Sequence, residues 1–232
     1  MSVDAAILAG LGEIEEYSGG DRVLLPISYY IMNIPDVDAI EASAEGGESG
    51  DNTRANITDI DGNDVLTGGT PFCNVQFNVT EGPFEGCSMK PRLYFTPGKG
   101  RNIGFINSMV KGVTGQSVDL AAIREFNFIM PQAGSPDEIQ EAFAKNFYTL
   151  SAEDRVAFMS QYCRWGQWAG QDVVVKVGHE DGRPDEATGV TPIFNRALGF
   201  YTLDHTKKGA AYVRNTCHAE QEAEGKAQGI LS

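Results

Sequence analysis

The chain has 232 residues, of which 41% are hydrophobic and 22% charged, and its formal net charge is −14. This composition is that of a globular protein large enough to bury a core, and it argues against a protein coated on all sides by nucleic acid. The sequence contains no run of 18 apolar residues, so it predicts no membrane-spanning helix. The acidic N-terminus lacks the basic region of a signal peptide, so we expect a cytoplasmic protein.

Charge is distributed unevenly along the sequence. Residues 1–66 contain 14 acidic residues and two basic ones, whereas residues 86–111 contain five basic residues and no acidic one. Residues 190–216 contain four basic residues and one acidic one. Both basic windows overlap β-rich patterns. This favours a surface that binds anions, with an ordinary solvated face as the alternative.

The four cysteines are Cys73, Cys87, Cys163 and Cys217, and no two of them form a CxxC pair. In a cytoplasmic protein we expect reduced, mostly buried thiols. A disulfide between Cys73 and Cys87 across a hairpin is the alternative.

Acidic and loop-forming residues dominate the first 70 positions. Residues 1–22 form an acidic N-terminal segment ahead of a domain that we place at 23–218. The β-rich run Val23–Ile34 predicts the first strand. Residues 41–70 are rich in Gly, Asp and Asn, and they predict a long acidic loop with one short strand near Arg54–Ile60.

Two runs of alternating apolar and polar residues follow. Phe72–Val79 and Cys87–Phe95 both have period two, and the intervening EGPFEG stretch (Glu81–Gly86) supplies turn residues. The pattern predicts a hairpin with one buried face and one solvated face. The predicted solvated side chains are Asn74, Gln76, Asn78, Ser88, Lys90, Arg92 and Tyr94.

Residues 98–168 change to helical periodicity. Ser135 is followed by Pro136 and, three positions on, by Glu138, which is the pattern of a capping box. Ser151 predicts a second helix start. Trp165 and Trp168 are interpreted as core residues beneath the sheet, with an aromatic ledge for bases as the alternative.

The β pattern returns after Gly170. Residues 171–177 predict a short strand, and residues 191–203 predict an aromatic-rich strand with a bulge at Gly199. An acidic loop at 180–189 separates them. Residues 210–217 are expected to add a last strand.

The order of these elements is strand, long loop, two strands, helices and two strands. Five strands with helices between the third and the fourth is the connectivity of an OB-fold, a small and partly open barrel. We therefore predict an α+β, mainly β protein. It consists of a five-stranded OB-fold barrel, a long helical insertion at 98–168 between strands 3 and 4, and a helical or frayed C-terminal tail at 219–232. A segregated α+β domain of another topology is the alternative.

Motifs of catalysis are missing from the sequence. It contains no GxSxG, P-loop or HExxH pattern, and its glycine-rich stretches do not have dinucleotide spacing. His205, Cys217 and His218 match no zinc-finger spacing, and DIDGND (Asp59–Asp64) lacks the terminal glutamate of a calcium loop. We expect no enzymatic activity, cofactor or metal.

The solvated face of the hairpin is the best candidate for a binding site. Single-stranded nucleic acid needs cations for its phosphates and flat side chains on which bases stack. The two basic windows supply both, and amides can bond base edges or sugars. The candidate nucleic-acid-binding residues are Asn74, Gln76, Asn78, Lys90, Arg92, Tyr94, Lys99, Arg101, Phe194, Arg196, Phe200, Tyr201, Lys207 and Lys208.

Four short motifs add a resemblance. They are Val75–Gly86 (VQFNVTEGPFEG), Met109–Gly115 (MVKGVTG), Trp168–Gly178 (WAGQDVVVKVG) and the strand Phe194–Tyr201. In this order the chain resembles, over about Leu25–Leu203, a family of tailed-phage single-stranded DNA-binding proteins with OB-folds. The resemblance implies non-specific coating of single-stranded DNA in phage replication or recombination, in the host cytoplasm, without catalysis.

Partners follow from the same interpretation. Single-stranded DNA is the expected ligand, and the acidic segments are candidate contacts for replication or recombination proteins. The helical insertion is a candidate homodimer contact. The alternative function is a phage structural or decoration protein, or another protein-interaction β-module, in which the polar face contacts a subunit.

Overall fold

The strands form where apolar and polar residues alternate, and helices occupy the middle and the end of the chain. The computed structural model describes residues 23–35, 40–43, 56–58, 64–66, 72–95, 102–182, 184–185 and 188–231. Within them the strands are β1 (Tyr29–Asn33), β2 (Ile40–Ser43), β3 (Asn56–Thr58), β4 (Asp64–Leu66), β5 (Phe72–Val75), β6 (Phe77–Val79), β7 (Ser88–Met89), β8 (Arg92–Tyr94), β9 (Asp172–Asp181) and β10 (Ile193–Tyr201).

The helices of the described residues fall into two groups. The insertion holds α1 (Asn102–Thr114), α2 (Ala121–Glu125), α3 (Pro136–Thr149), α4 (Ala152–Tyr162) and a 3₁₀ turn at Trp165–Gln167. The C-terminal group holds α5 (Ala210–Tyr212), a π-helical segment at Val213–Cys217 and α6 (His218–Ala227). None of the described helices combines the length and the apolar character needed to span a membrane.

The central sheet is antiparallel and open. Its five strands pair in the order β10-β9-β1-β6-β7, and two smaller sheets have the orders β2-β5-β8 and β3-β4. Strands β5 and β6 are the two halves of the predicted strand Phe72–Val79, separated only at Gln76. Among the described residues the two outer strands β10 and β7 are not paired with each other. The fold class is therefore α+β with an open five-stranded sheet.

The predicted hairpin is confirmed in both pairing and burial. Phe77 pairs with Met89 and Cys73 with Leu93, so one register runs through both halves of the hairpin. Alternate residues are buried along both strands. Those buried side chains are Cys73, Val75, Phe77, Val79, Met89, Pro91, Leu93 and Phe95.

The helix starts follow local rules. Ser135 Oγ accepts a hydrogen bond from the Glu138 amide at 3.3 Å, and Glu138 Oε2 accepts one from the Ser135 amide at 2.7 Å, which completes the predicted capping box. Ser151 Oγ likewise accepts from the Asp154 amide at 3.1 Å. Trp165 and Trp168 are buried, as expected of core residues.

Both faces of the sheet are packed. On the inner face, Tyr30, Met32 and Val175 join side chains from the insertion in the main core. On the outer face, Ile31 and Val174 contact a smaller apolar group from the C-terminal segment. That group consists of Ala210, Val213 and Cys217.

The C-terminal region differs from the prediction at residues 210–217. These residues, predicted as a strand, are helical, whereas most of residues 219–232, predicted as a helical or frayed tail, belongs to the helix α6. Val213 and Cys217 are buried against the sheet, so a helical segment covers apolar surface where an added strand would have extended an edge. Tertiary packing overrides the local β pattern here.

The N-terminal region is described only in part. Strands β3 and β4 pair with each other inside the predicted acidic loop 41–70, and β3 falls within the predicted short strand Arg54–Ile60. Strand β2 pairs with β5. The acidic segment 1–22 and the rest of the loop lie outside the described residues.

The cysteines are free thiols. Cys73, Cys163 and Cys217 are buried and Cys87 is half-buried, and none is in a disulfide. Burial raises the pKa of the Cys73 thiol to about 12 and that of Cys163 well above its ordinary value. These thiols therefore behave as apolar core groups.

Candidate nucleic-acid interface

The outer face of the sheet carries a half-exposed aromatic and cationic surface. Because side chains alternate along a strand, Tyr29 lies on the opposite face from buried Tyr30, and its register partner Lys176 lies opposite buried Val175. Tyr201, at the end of β10, pairs with Val174 and so lies on the same outer face. Three neighbouring strands thus contribute to one surface.

The rings of three tyrosines meet at this surface, and two lysines lie beside them. We call these five residues the tyrosine cluster: Tyr29, Tyr201, Tyr212, Lys176 and Lys208. The Tyr29 ring centroid lies 5.8 Å from that of Tyr201 and 5.6 Å from that of Tyr212. All three tyrosines are half-buried, so part of each residue stays accessible to solvent. The Tyr29–Tyr212 pair is edge-to-face, with an interplanar angle of 85°, and the Tyr29–Tyr201 pair is tilted at 53°.

Two ammonium groups lie against these rings. Lys208 Nζ is 5.0 Å from the Tyr201 centroid and 5.6 Å from the Tyr29 centroid, and Lys176 Nζ is 5.8 Å from the Tyr29 centroid. Lys208 Nζ also donates a hydrogen bond to Tyr201 Oη at 3.4 Å. Hydrogen bonds with Tyr29 and Tyr201 raise the pKa of Lys208, which therefore stays cationic throughout the physiological range.

The C-terminal segment borders the cluster. Ala210 and Val213 cover Ile31 and Val174, and the π-helical segment begins directly after Tyr212. Further along, Gln221 Nε2 donates to the carbonyl oxygen of Tyr29 at 2.8 Å. The same segment that closes the outer apolar group therefore also fixes the position of Tyr212 beside Tyr29.

Aliphatic and basic side chains continue the surface beyond the cluster. Leu198 occupies the space above Gly178, where a Cβ would collide with it, and Leu198 is 44% exposed. Ile27, two residues before Tyr29, is 57% exposed. Arg196 is exposed and its guanidinium lies 3.5 Å from Glu180. The outer face of β9 and β10 thus combines flat apolar patches with cations.

The polar side of the hairpin lies on the same side of the sheet. Asn78 pairs with Asn33, which is four residues along β1 from Tyr29 and so on the same face. Gln76 Nε2 donates to Asn78 Oδ1 at 3.1 Å. The hairpin register extends to Asn74, which pairs with Arg92. The segment that covers Ile31 lies between this amide surface and the tyrosine cluster.

Apart from Phe200, the sequence-derived candidates divide into three groups. Tyr201 and Lys208 belong to the tyrosine cluster, Lys207 adjoins it in the chain, and Phe194 and Arg196 lie on the neighbouring part of the same face. Asn74, Gln76, Asn78 and Lys90 are half-buried on the hairpin. Lys99 and Arg101 lie outside the described residues, as do the side chains of Arg92 and Tyr94.

Phe200 is not available to a base. It is 4% exposed, and its ring packs against Phe77 and Phe105 at centroid distances of 5.7 Å. The reason is the bulge between Ala197 and Gly199, which inserts one residue and reverses the alternation. Phe194 lies opposite Glu180 on the outer side, whereas Phe200 lies opposite buried Val175.

Four residues of this region were not anticipated: Tyr29, Lys176, Tyr212 and His205. The sequence contains a signal for one pair, since Tyr29 and Lys176 both alternate with buried strand residues. The position of Tyr212 beside Tyr29 could not be predicted, because Tyr212 lies in a segment that was predicted as a strand and is helical. The described residues contain no group of three or more His, Cys, Asp or Glu side chains that could hold a metal ion.

Comparison with known proteins adds no identification. No protein-family model, curated protein or solved structure matches the chain.

Proposed function

We propose that this protein binds single-stranded nucleic acid, with DNA as the expected ligand, on the outer face of its sheet. The observation that carries the proposal is the Lys208 ammonium lying against two of three clustered, half-exposed tyrosine rings. Bases stack on aromatic faces, each contributing about 1–3 kcal/mol, and ammonium groups neutralise phosphates. The cluster offers both within one small surface.

Binding would be non-covalent and tolerant of sequence. Tyr29, Tyr201 and Tyr212 present ring faces to bases, while Lys176, Lys207 and Lys208 offset phosphates. The amides of Asn74, Gln76 and Asn78 offer hydrogen bonds to sugars or base edges further along the sheet.

We propose in addition that the chain has an OB-fold. An OB-fold is a partly open five-stranded Greek-key barrel that binds oligonucleotides on its strands. Two features support this assignment. β1 is at the centre of the antiparallel order, with the hairpin strands on one side, and the two strands that follow the helices lie on the other side. A role in coating DNA during phage replication or recombination, in the host cytoplasm, completes the proposal, with acidic segments contacting protein partners.

Fluorescence anisotropy with labelled dT oligonucleotides of increasing length tests this function. The logarithm of affinity is expected to fall linearly with the logarithm of salt concentration, with a slope of about −0.7 per phosphate contact. An unchanged signal at micromolar protein and low salt would overturn the proposal.

A charge-matched pair of variants locates the site. Lys176→Ala/Lys208→Ala removes two cations from the tyrosine cluster, whereas Lys145→Ala/Lys226→Ala removes two lysines that pair with glutamates on helices. Only the first pair is expected to weaken binding and to lower the salt slope. Equal losses in both would mean that net charge, and not this surface, determines binding.

A protein-binding β-module is the second candidate, either a phage structural or decoration protein or another interaction domain. The exposure of Ile27, Leu198 and Ile193 favours it, because aliphatic side chains suit a protein surface better than a phosphate backbone. In that case dT oligonucleotides would not bind, and Leu198→Ser would lower affinity for the protein partner.

A further inference from the structure

We infer that His205 is a positioning residue, whose imidazole holds the backbone of Lys207 and Lys208 so that the Lys208 ammonium lies against the tyrosine rings. His205 lies in the loop that joins β10 to α5. The consequence for ligand binding rests on the proposed function. The positioning itself is a property of the free protein.

The loop from Thr202 to Gly209 is tightly wound. The His205 amide donates to the Thr202 carbonyl oxygen at 3.0 Å, and the Gly209 amide donates to the His205 carbonyl oxygen at 2.8 Å. A Cβ at Gly209 would collide with backbone atoms of Leu203 and His205. A side chain at position 209 would therefore force the backbone of the loop apart.

The His205 side chain completes this closure. Its Nδ1 accepts hydrogen bonds from the backbone amides of both Lys207 and Lys208, each at 3.2 Å. An accepting Nδ1 carries no proton, so the proton of the neutral ring is on Nε2. The ring also meets Tyr201 edge-on, with centroids 5.2 Å apart. One side chain therefore links the backbone of Lys208 to the ring against which its ammonium lies.

This arrangement limits the conformations available to Lys208. A lysine side chain has many rotamers, and an ammonium on a loose loop would lose more entropy when it bound a phosphate. Fixing the backbone of Lys208 next to Tyr201 removes part of that cost before a ligand arrives. Replacing His205 would remove this acceptor from the backbone amides of Lys207 and Lys208.

Two variants separate the acceptor from the rest of the side chain. His205→Ala removes Nδ1, whereas His205→Asn places an amide oxygen the same number of bonds from Cα, as in Asx turns. In the free protein, hydrogen exchange of the Lys207 and Lys208 amides is expected to accelerate in the alanine variant and to stay near wild type in the asparagine variant. Unchanged exchange in His205→Ala would overturn the inference.

Binding to a dT oligonucleotide provides the second readout. His205→Ala is expected to weaken binding by about fivefold, the effect of losing one hydrogen bond between uncharged groups, and His205→Asn is expected to restore it. The double variant His205→Ala/Lys208→Ala should bind no more weakly than Lys208→Ala alone, because both changes remove the same contact.

The outcomes distinguish this inference from the function on which it rests. If Lys208→Ala weakens binding and His205→Ala does not, the surface binds nucleic acid but His205 does not position it. Additive losses in the double variant would also overturn the positioning role. If the wild-type protein binds no oligonucleotide, the proposed function fails, and amide exchange alone decides whether His205 holds the loop.

Discussion

Two aromatic groups in this protein have similar ring spacing but different surroundings. Between α3, α4 and the end of the hairpin, Phe128 and Phe158 stack at 4.6 Å, and Phe95 lies 4.9 Å from Phe147. These four rings are buried. The tyrosine cluster has centroid distances of 5.6 and 5.8 Å, but its rings are half-exposed and two ammonium groups lie against them.

This difference in exposure and charge indicates that the buried rings stabilise the fold and that the half-exposed rings are suited to binding a ligand. A buried ring has all its faces in contact with protein, so its contribution is to the free energy of unfolding. A half-exposed ring beside a cation contributes less to unfolding and keeps a face for a ligand. Ring geometry alone would not distinguish the two groups, whereas exposure and charge do.

The largest expected effect comes from the buried group. Phe158→Ala should lower the free energy of unfolding by about 3–5 kcal/mol, because it leaves a cavity among Phe128, Phe143 and Phe147. Urea denaturation measures the loss. Phe158→Leu is the matched control and should cost much less. Equal losses in both variants would show that ring volume is not what stabilises this group.

The complementary change is in the tyrosine cluster. Tyr29→Leu should weaken dT binding by about 1–3 kcal/mol, since it removes the ring that contacts Tyr201, Tyr212 and both lysines. The free energy of unfolding should change by less than about 1.5 kcal/mol. Anisotropy and urea denaturation on the same preparation test both parts. A stability loss without an affinity loss would place Tyr29 with the structural group.

Alkaline pH provides a third contrast. Burial raises the pKa of Tyr162 from 10.0 to about 12, so the folded state holds this proton more tightly than the unfolded chain. Stability from this group is complete below pH 10 and is lost as pH rises towards 12, by roughly 1 kcal/mol at pH 11. Tyr162→Phe should flatten that decline in urea denaturation. An identical decline in the variant would assign it to other tyrosines.

The smallest effect concerns a helix start outside both aromatic groups. Ser135→Ala removes the capping box of α3 and should cost about 1 kcal/mol of stability, whereas Ser135→Asp keeps a cap and should cost little. Neither variant should change dT affinity. A change in affinity would mean that α3 contributes to the ligand-binding surface.

Local patterns predicted much of the fold. The hairpin followed from strict alternation in Phe72–Val79 and Cys87–Phe95, and the start of α3 followed from Ser135 and Glu138. Both depend on interactions within a few residues or between adjacent strands. The bulge in β10 was also anticipated at Gly199. These features need no knowledge of distant parts of the chain.

The candidate site was predicted less completely, for a physical reason. Tyr29, Lys176 and Tyr212 are 36 or more positions apart in sequence and meet only through the pairing of β1 with β9 and the packing of the C-terminal segment. A π-helical segment directly after Tyr212 depends on that packing and has no clear local signal. Phe200 was wrongly predicted to bind bases, because the bulge reverses which face the side chains after Leu198 point to, and the prediction did not take this reversal into account.

The bulge makes the residue count of β10 as important as its composition. If Leu198 were deleted, Ala197 and Gly199 would become neighbours opposite the neighbouring residues Val177 and Lys176, and the strand would alternate strictly with Phe194, Arg196 and Tyr201 still on the outer face. Gaining one residue elsewhere in β10 would instead move the side chains on one side of the insertion to the opposite face of the sheet, unless a second bulge formed. Natural variation in β10 should therefore consist of replacements or of the loss of the bulge residue, and insertions should fall in the connection between residues 182 and 192.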